Sequence, residues 1–184
     1  MAVKTFTTGE VLTAADTNTY LNNGGLVYVS SGAFTGAATF DITGFSSTFD
    51  YYKLILKAQR TTVGSCNLTF QLVNGSTVRN GANYYYAGYY VRHTGTSGVA
   101  FSGGLQTSAI FGAADSAAKG IFTFELMGMT DVFQYTGSYV MTGNVDNVMM
   151  GGERLVADTN DKIRVTTSTA LVTGNWRLYG YREP

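Results

Sequence analysis

Tyr51-Tyr52-Lys53-Leu54-Ile55-Leu56-Lys57 decides the fold. Tyr52, Leu54 and Leu56 fall on one phase, and Lys53, Ile55 and Lys57 on the other. A period of two belongs to a strand with one buried face, because successive side chains of a strand point to opposite sides of its sheet. The same rhythm recurs outward along the chain. Leu68, Phe70 and Leu72 alternate with Asn67, Thr69 and Gln71, and Phe122, Phe124 and Leu126 alternate with Thr123 and Glu125. Ile163 and Val165 alternate with Arg164 and Thr166, and Trp176 and Leu178 with Arg177 and Tyr179. Turn signals fall between these runs, at Asn74-Gly75, Asn80-Gly81, Gly103-Gly104, Gly151-Gly152 and Asp158-Thr-Asn-Asp161. Nothing in the spacing has a βαβ rhythm. The expectation is an all-β chain folded as an antiparallel, jelly-roll-like β-sandwich over residues 26–184. The Gly/Ala/Ser-rich stretches 94–104 and 112–120 read as longer loops, the second with room for a helical turn at 113–118.

Composition supports this class and excludes others. With 184 residues the chain suits one domain, or one domain plus an appendage. Twelve Lys and Arg balance twelve Asp and Glu, so the net charge of zero argues against a general nucleic-acid binder, which needs excess positive charge. Charged residues make up only 13%, but the chain carries 13 Tyr and 11 Phe, which separates it from disordered sequences. One cysteine, Cys66, rules out an internal disulfide and a cysteine-based zinc site, and reads as a small buried hydrophobe. No apolar run is long enough for a membrane span and no signal-peptide pattern is seen, so synthesis in a cytoplasm without membrane insertion is expected.

Residues 1–25 form a separate expected unit. Phe6-Thr-Thr-Gly-Glu-Val-Leu12 reads as a short extended piece. Thr13 is a suitable N-cap with Asp16 at N3, and Gly24 a suitable helix-terminating residue, which predicts a short helix over 13–23. Such a helix is too short to stand alone. Val11, Leu12, Tyr20 and Leu21 supply a small apolar face for attachment to another surface.

Reactive chemistry is sparse. The one histidine, His93, follows an aromatic strand and has no nucleophile-elbow motif to serve. His and Cys together fall short of the three protein ligands zinc needs, and no cofactor motif is present. Asp158-Thr-Asn-Asp161 lacks the oxygen-ligand pattern of an EF-hand and reads as a polar turn. Paired carboxylates could hydrolyse a glycosidic bond, and Glu125 is the most strand-embedded acid, but which acids face each other is set by the fold and not by the sequence. The methionines 127, 129, 149 and 150 read as adaptable core filler. The most unusual feature is the block Tyr84, Tyr85, Tyr86, Tyr89 and Tyr90. Tyrosine gives rigid contact area with a polar tip, so the block suits the core with a subunit interface, or contact with a receptor glycan.

Phe6-Thr-Thr-Gly-Glu-Val-Leu-Thr-Ala-Ala-Asp-Thr-Asn-Thr-Tyr-Leu-Asn-Asn23 resembles the opening of many tailed-bacteriophage virion proteins, notably those of marine and cyanobacterial phages. In these a GEVLTAADVNTYL-like start precedes a β-rich appendage domain. Trp176-Arg-Leu-Tyr-Gly-Tyr181 is similar to the closing strand of such domains. Thr17 departs from the pattern, standing where an apolar residue is common, which sets the packing of that helix face apart. The resemblance implies a non-enzymatic structural protein of the virion without a cofactor, a homotrimeric appendage of the tail-fibre or head-fibre type. It would dock to other virion proteins through residues 1–25, with a host surface glycan as a candidate contact. Three alternatives stay open: a capsid decoration protein, a small glycan depolymerase, and a free-standing cellular carbohydrate-binding module, against which the N-terminal resemblance weighs.

Overall fold

The computed structural model describes residues 7–11, 13, 25–61, 65–91, 99–115, 119–141, 147–168 and 171–182. Among them the fold is all-β and every strand pairing is antiparallel. The larger sheet begins with β1 (Gly25–Ala37), β13 (Val172–Arg182), β3 (Tyr51–Arg60) and β9 (Lys119–Met127). It continues through β10 (Phe133–Met141), β11 (Asn147–Arg154), β6 (Tyr84–Val91) and β7 (Val99–Gln106). The smaller sheet holds β2 (Thr39–Thr43), β12 (Lys162–Thr167) and β4 (Ser65–Asn74). The other edge of β4 is shared by the short β5 (Thr77–Val78) and by β8 (Ala109–Asp115).

Set aside β5 and the pairs β6–β7 and β10–β11, and eight strands remain. Counted along the chain, the first, eighth, third and sixth form one sheet, and the second, seventh, fourth and fifth form the other. That is the strand order of two Greek keys rolled together, the jelly-roll order. The four remaining strands of the larger sheet extend it beyond β9.

The core lies between the sheets, where the alternation places it. Tyr52, Leu54 and Leu56 on β3 and Phe122, Phe124 and Leu126 on β9 face Leu68, Phe70 and Leu72 on β4 and Ile163 and Val165 on β12, all fully buried or nearly so. A ladder of rings crosses the gap: Phe70 stacks on Phe111 at 4.2 Å and Phe111 on Phe124 at 4.4 Å between centroids. Cys66 is buried as expected.

Several expected turns and loops are strand instead. Gly103-Gly104 lies within β7 and Gly151-Gly152 within β11, while 99–104 and 112–115 extend strands. The helical turn placed at 113–118 begins inside β8. The cause is a repeated cross-strand partnership. Gly103 pairs with Tyr86, Gly152 with Tyr135 and Gly32 with Trp176. A Cβ on each glycine would stand only 2.5, 2.7 and 2.7 Å from its partner's ring. Ring and glycine together fill one layer of core, so the glycine strengthens the packing of a strand it would weaken alone.

The N-terminal piece is also different where it is described. Residues 7–10 form a turn, not an extended run. The Glu10 N–H donates to the Thr7 carbonyl at 3.0 Å, and Gly9 supplies a φ of +89°. The Thr7 N–H in turn donates to Glu10 Oε2 at 3.1 Å. The expected helix over 13–23 lies outside the described residues, apart from Thr13.

Candidate functional site

The outer face of the larger sheet is the surface of interest. No other sheet covers it among the described residues, and the pleat sends alternate side chains of all eight strands to it. Strand register arranges these side chains in rows.

The tyrosine block divides on this pleat. Tyr84 is fully buried, so it is a core residue and not a contact for a partner. Its hydroxyl donates to the Arg79 carbonyl at 2.8 Å and accepts from the Leu72 N–H at 2.9 Å. Burial pushes the Tyr84 phenol up from its ordinary value. Tyr86 also packs against the core, over Gly103. Tyr85 and Tyr89 lie on the outer face, Tyr85 half-buried and Tyr89 exposed. Tyr90 pairs through its backbone with Val148 and Val99.

A groove of ≈ 460 Å³ opens on the outer face beside Tyr85, lined also by Ala87, Ser102, Gly104, Gly151 and Glu153. The paired glycines create it. Gly151 and Gly104 leave the sheet bare, the Tyr85 ring lies against Gly104, and Glu153 is the register partner of Tyr85. Glu153 has no charged partner among the described residues. An aromatic ring, a carboxylate that only accepts hydrogen bonds and a serine hydroxyl around a shallow floor suit a polyhydroxylated ligand.

Toward one end of the same face lies an apolar stripe, bounded by Lys57 in register with Ile121. Ile121 pairs with Val140, and Asn147 links Val140 to Val91. Met149 and Tyr89 pair in the next row. Met149 is 71% exposed, so it is not the core filler the sequence suggested, whereas Met150 and Met129 are buried. Toward the other end stands a tyrosine cluster. Tyr28 meets Tyr179 edge-on at 6.0 Å, and Tyr51 is the register partner of Tyr181. Burial, with a hydrogen bond to Glu125, pushes the Tyr181 phenol up. Lys53 meets the same Glu125 at 3.3 Å.

Several of the acids serve structure, whereas Asp50 and Asp131 border one depression of ≈ 330 Å³ without an ion pair among the described residues. Asp41 receives Arg164 through two hydrogen bonds of 2.8 and 2.9 Å, and that guanidinium holds its carboxyl below the usual range. Asp158 takes buried Arg154 at 2.6 Å and Arg79 at 3.6 Å, beneath the Tyr84 ring. In the same turn Asn160 is buried and donates to the Asp158 carbonyl at 2.9 Å, and Asp161 accepts from the Gly75 N–H at 3.1 Å. The polar turn is thus tied down by the protein's own groups. Among the described residues no cluster of His, Cys, Asp and Glu could hold a metal ion.

Of the expected attachment residues, Val11 follows the 7–10 turn and is 78% exposed. Leu12, Tyr20 and Leu21 lie outside the described residues, as does His93.

Neither a protein-family profile nor a curated protein matches the chain. Among solved structures it is similar to the CBM2 module of the evolved Dit of Lactobacillus casei BL23 phage J-1. The likeness has 8% identity over 79% of this chain and 69% of that one, with a TM-score of 0.26.

Proposed function

We propose that this chain is a non-enzymatic structural protein of a phage virion, an appendage that assembles from copies of itself and presents the outer face of its larger sheet. The observation that carries this reading is that uncovered face, with an apolar stripe next to a groove built for hydroxyls. The part of the stripe formed by Val140, Met149, Tyr89 and Val91 is the contact between copies, in a homotrimer. Closed symmetry buries such a patch once per subunit without leaving a free one. The groove at Tyr85 and Glu153 contacts a host surface glycan. Residues 1–25, whose sequence resembles the start of virion appendages, dock the assembly to another virion protein through Val11, Leu12, Tyr20 and Leu21.

Four of the acids are already engaged and so are poor catalytic groups, while Asp50 and Asp131 border one depression of ≈ 330 Å³ and are the acids a depolymerase reading would have to use. Asp41, Asp158, Glu125 and Asp161 are each held by a cation, a phenol or a backbone N–H. Glu125 and Glu153 share the outer face, but lie two strands and one row apart, about 12 Å by strand and residue spacing. Glu125 is in any case committed to Lys53 and Tyr181.

The test has two parts. Purified particles should contain the protein, and Leu12→Asp with Leu21→Asp should remove it from particles while the sandwich stays folded. Normal incorporation of that double variant would sink the docking role. As many copies as the major capsid protein would reassign the chain to capsid decoration, and release of reducing ends from host polysaccharide would reassign it to a depolymerase.

A further inference from the structure

The same outer face carries a second depression. Ser31, Gly32 and Ala33 on β1, Asn175 and Arg177 on β13, and Ile55 and Lys57 on β3 bound a trough of ≈ 630 Å³. A smaller depression of ≈ 330 Å³ adjoins it, sharing Lys57 and Asn175 and reaching Gln59 and Thr173. Together they follow β13, so the cavity is elongated. It exists because Ser31 and Ala33 on β1 are small where Arg177 on β13 and Lys57 on β3 are long.

Its charge is one-sided. Arg177 pairs in register with Ile55 and Lys57 with Asn175, so the two cations occupy diagonal positions, roughly 7–8 Å apart. Both are exposed, and neither has an acidic partner among the described residues. The acid nearest in register, Glu125, is already engaged by Lys53 and Tyr181. In a chain with no net charge, two unpaired cations over one trough form a local positive field. Arg177 presents a planar fork suited to a carboxylate or sulfate, and Lys57 a point charge. Asn175 and Ser31 add hydrogen-bonding groups, and half-buried Ile55 adds an apolar floor.

We infer that this trough binds an acidic polysaccharide, with carboxylate or sulfate groups on Arg177 and Lys57 and the sugar chain lying along β13. This rests on the reading of the outer face as the glycan-contacting surface, and names the class of glycan. Trp176 borders the trough in sequence, but its indole is buried against Gly32 on the core side of β13, so the side chains that meet a ligand are those of Arg177, Lys57, Asn175 and Ser31.

The experiment is isothermal titration calorimetry of the full chain with dextran sulfate, polygalacturonate and neutral dextran. The acidic polymers should bind and neutral dextran should not, and affinity should fall as salt rises. Lys57→Ala with Arg177→Ala should weaken acidic-polymer binding by about tenfold or more, a loss of roughly 1.4 kcal/mol. Lys162→Ala, which removes a cation from the opposite sheet, should leave it unchanged, and so should Tyr85→Ala. Equal binding by the double variant overturns the inference. Binding of a neutral host glycan that Tyr85→Ala abolishes, with no acidic polymer bound, overturns the inference and leaves the Tyr85 groove standing. Binding of no glycan at all overturns both. Duplex DNA bound as tightly as the polysaccharides overturns the carbohydrate assignment.

Discussion

Trp176 lays its indole across Gly32, its register partner on the neighbouring strand, so closely that a Cβ there would stand 2.7 Å from the ring. Trp176 is buried, and the glycine is what admits it. Gly32→Ala should therefore destabilise the sandwich by about 1–3 kcal/mol through overpacking. Trp176→Ala should cost about 3–5 kcal/mol. In that background Gly32→Ala should lose most of its penalty, because the clash is gone. Urea denaturation of the four proteins measures the coupling, and simple additivity would count against a ring–glycine unit.

This partnership also explains which strands the sequence revealed. β3, β4, β9, β12 and β13 announce themselves because each alternates large apolar with polar residues. β7 and β11 do not, because part of their core volume is supplied by a ring on the next strand: Tyr86 over Gly103, Tyr135 over Gly152. That information lies far away in the chain, so the glycines read locally as turns. The tyrosine block carried a usable signal, since alternation alone separates Tyr84 and Tyr86 from Tyr85 and Tyr89. The trough did not, because Arg177 and Lys57 meet only once β13 pairs with β3.

Asp158 stands between two arginines, and Arg154 is buried against it. Asp158→Ala leaves that guanidinium without its anion, at a cost of about 3–5 kcal/mol. Asp41→Ala should cost under about 1 kcal/mol, because its pair with Arg164 is about one third exposed and screened by water. Denaturation midpoints should rank the two variants in this order, and the reverse order would contradict the assignment of the buried cluster.

Acid should act partly through Asp41. Arg164 holds its folded-state carboxyl below the unfolded value, so the folded state takes up this proton less readily. The resulting stabilisation is present above the ordinary carboxylate range, and is lost as pH falls through the lowered folded value. Stability of the wild type relative to Asp41→Asn should therefore shrink as pH drops below about 4. A difference that stays constant down to strong acid would show the pair contributes nothing through its charge.

The apolar stripe gives the oligomer a direct handle. Met149 and Val140 are 71% and 40% exposed, so an added charge there has solvent to face in the monomer. Met149→Asp with Val140→Asp should leave the β-sheet circular-dichroism spectrum unchanged and convert a trimer to monomers in analytical ultracentrifugation. A trimer that survives both charges would place the contact elsewhere.

The most direct measurement is the copy number of this protein in purified phage particles, by quantitative mass spectrometry against the major capsid protein. The appendage reading expects it to be present in far fewer copies than that protein, in multiples of three. Absence from the particles would contradict it.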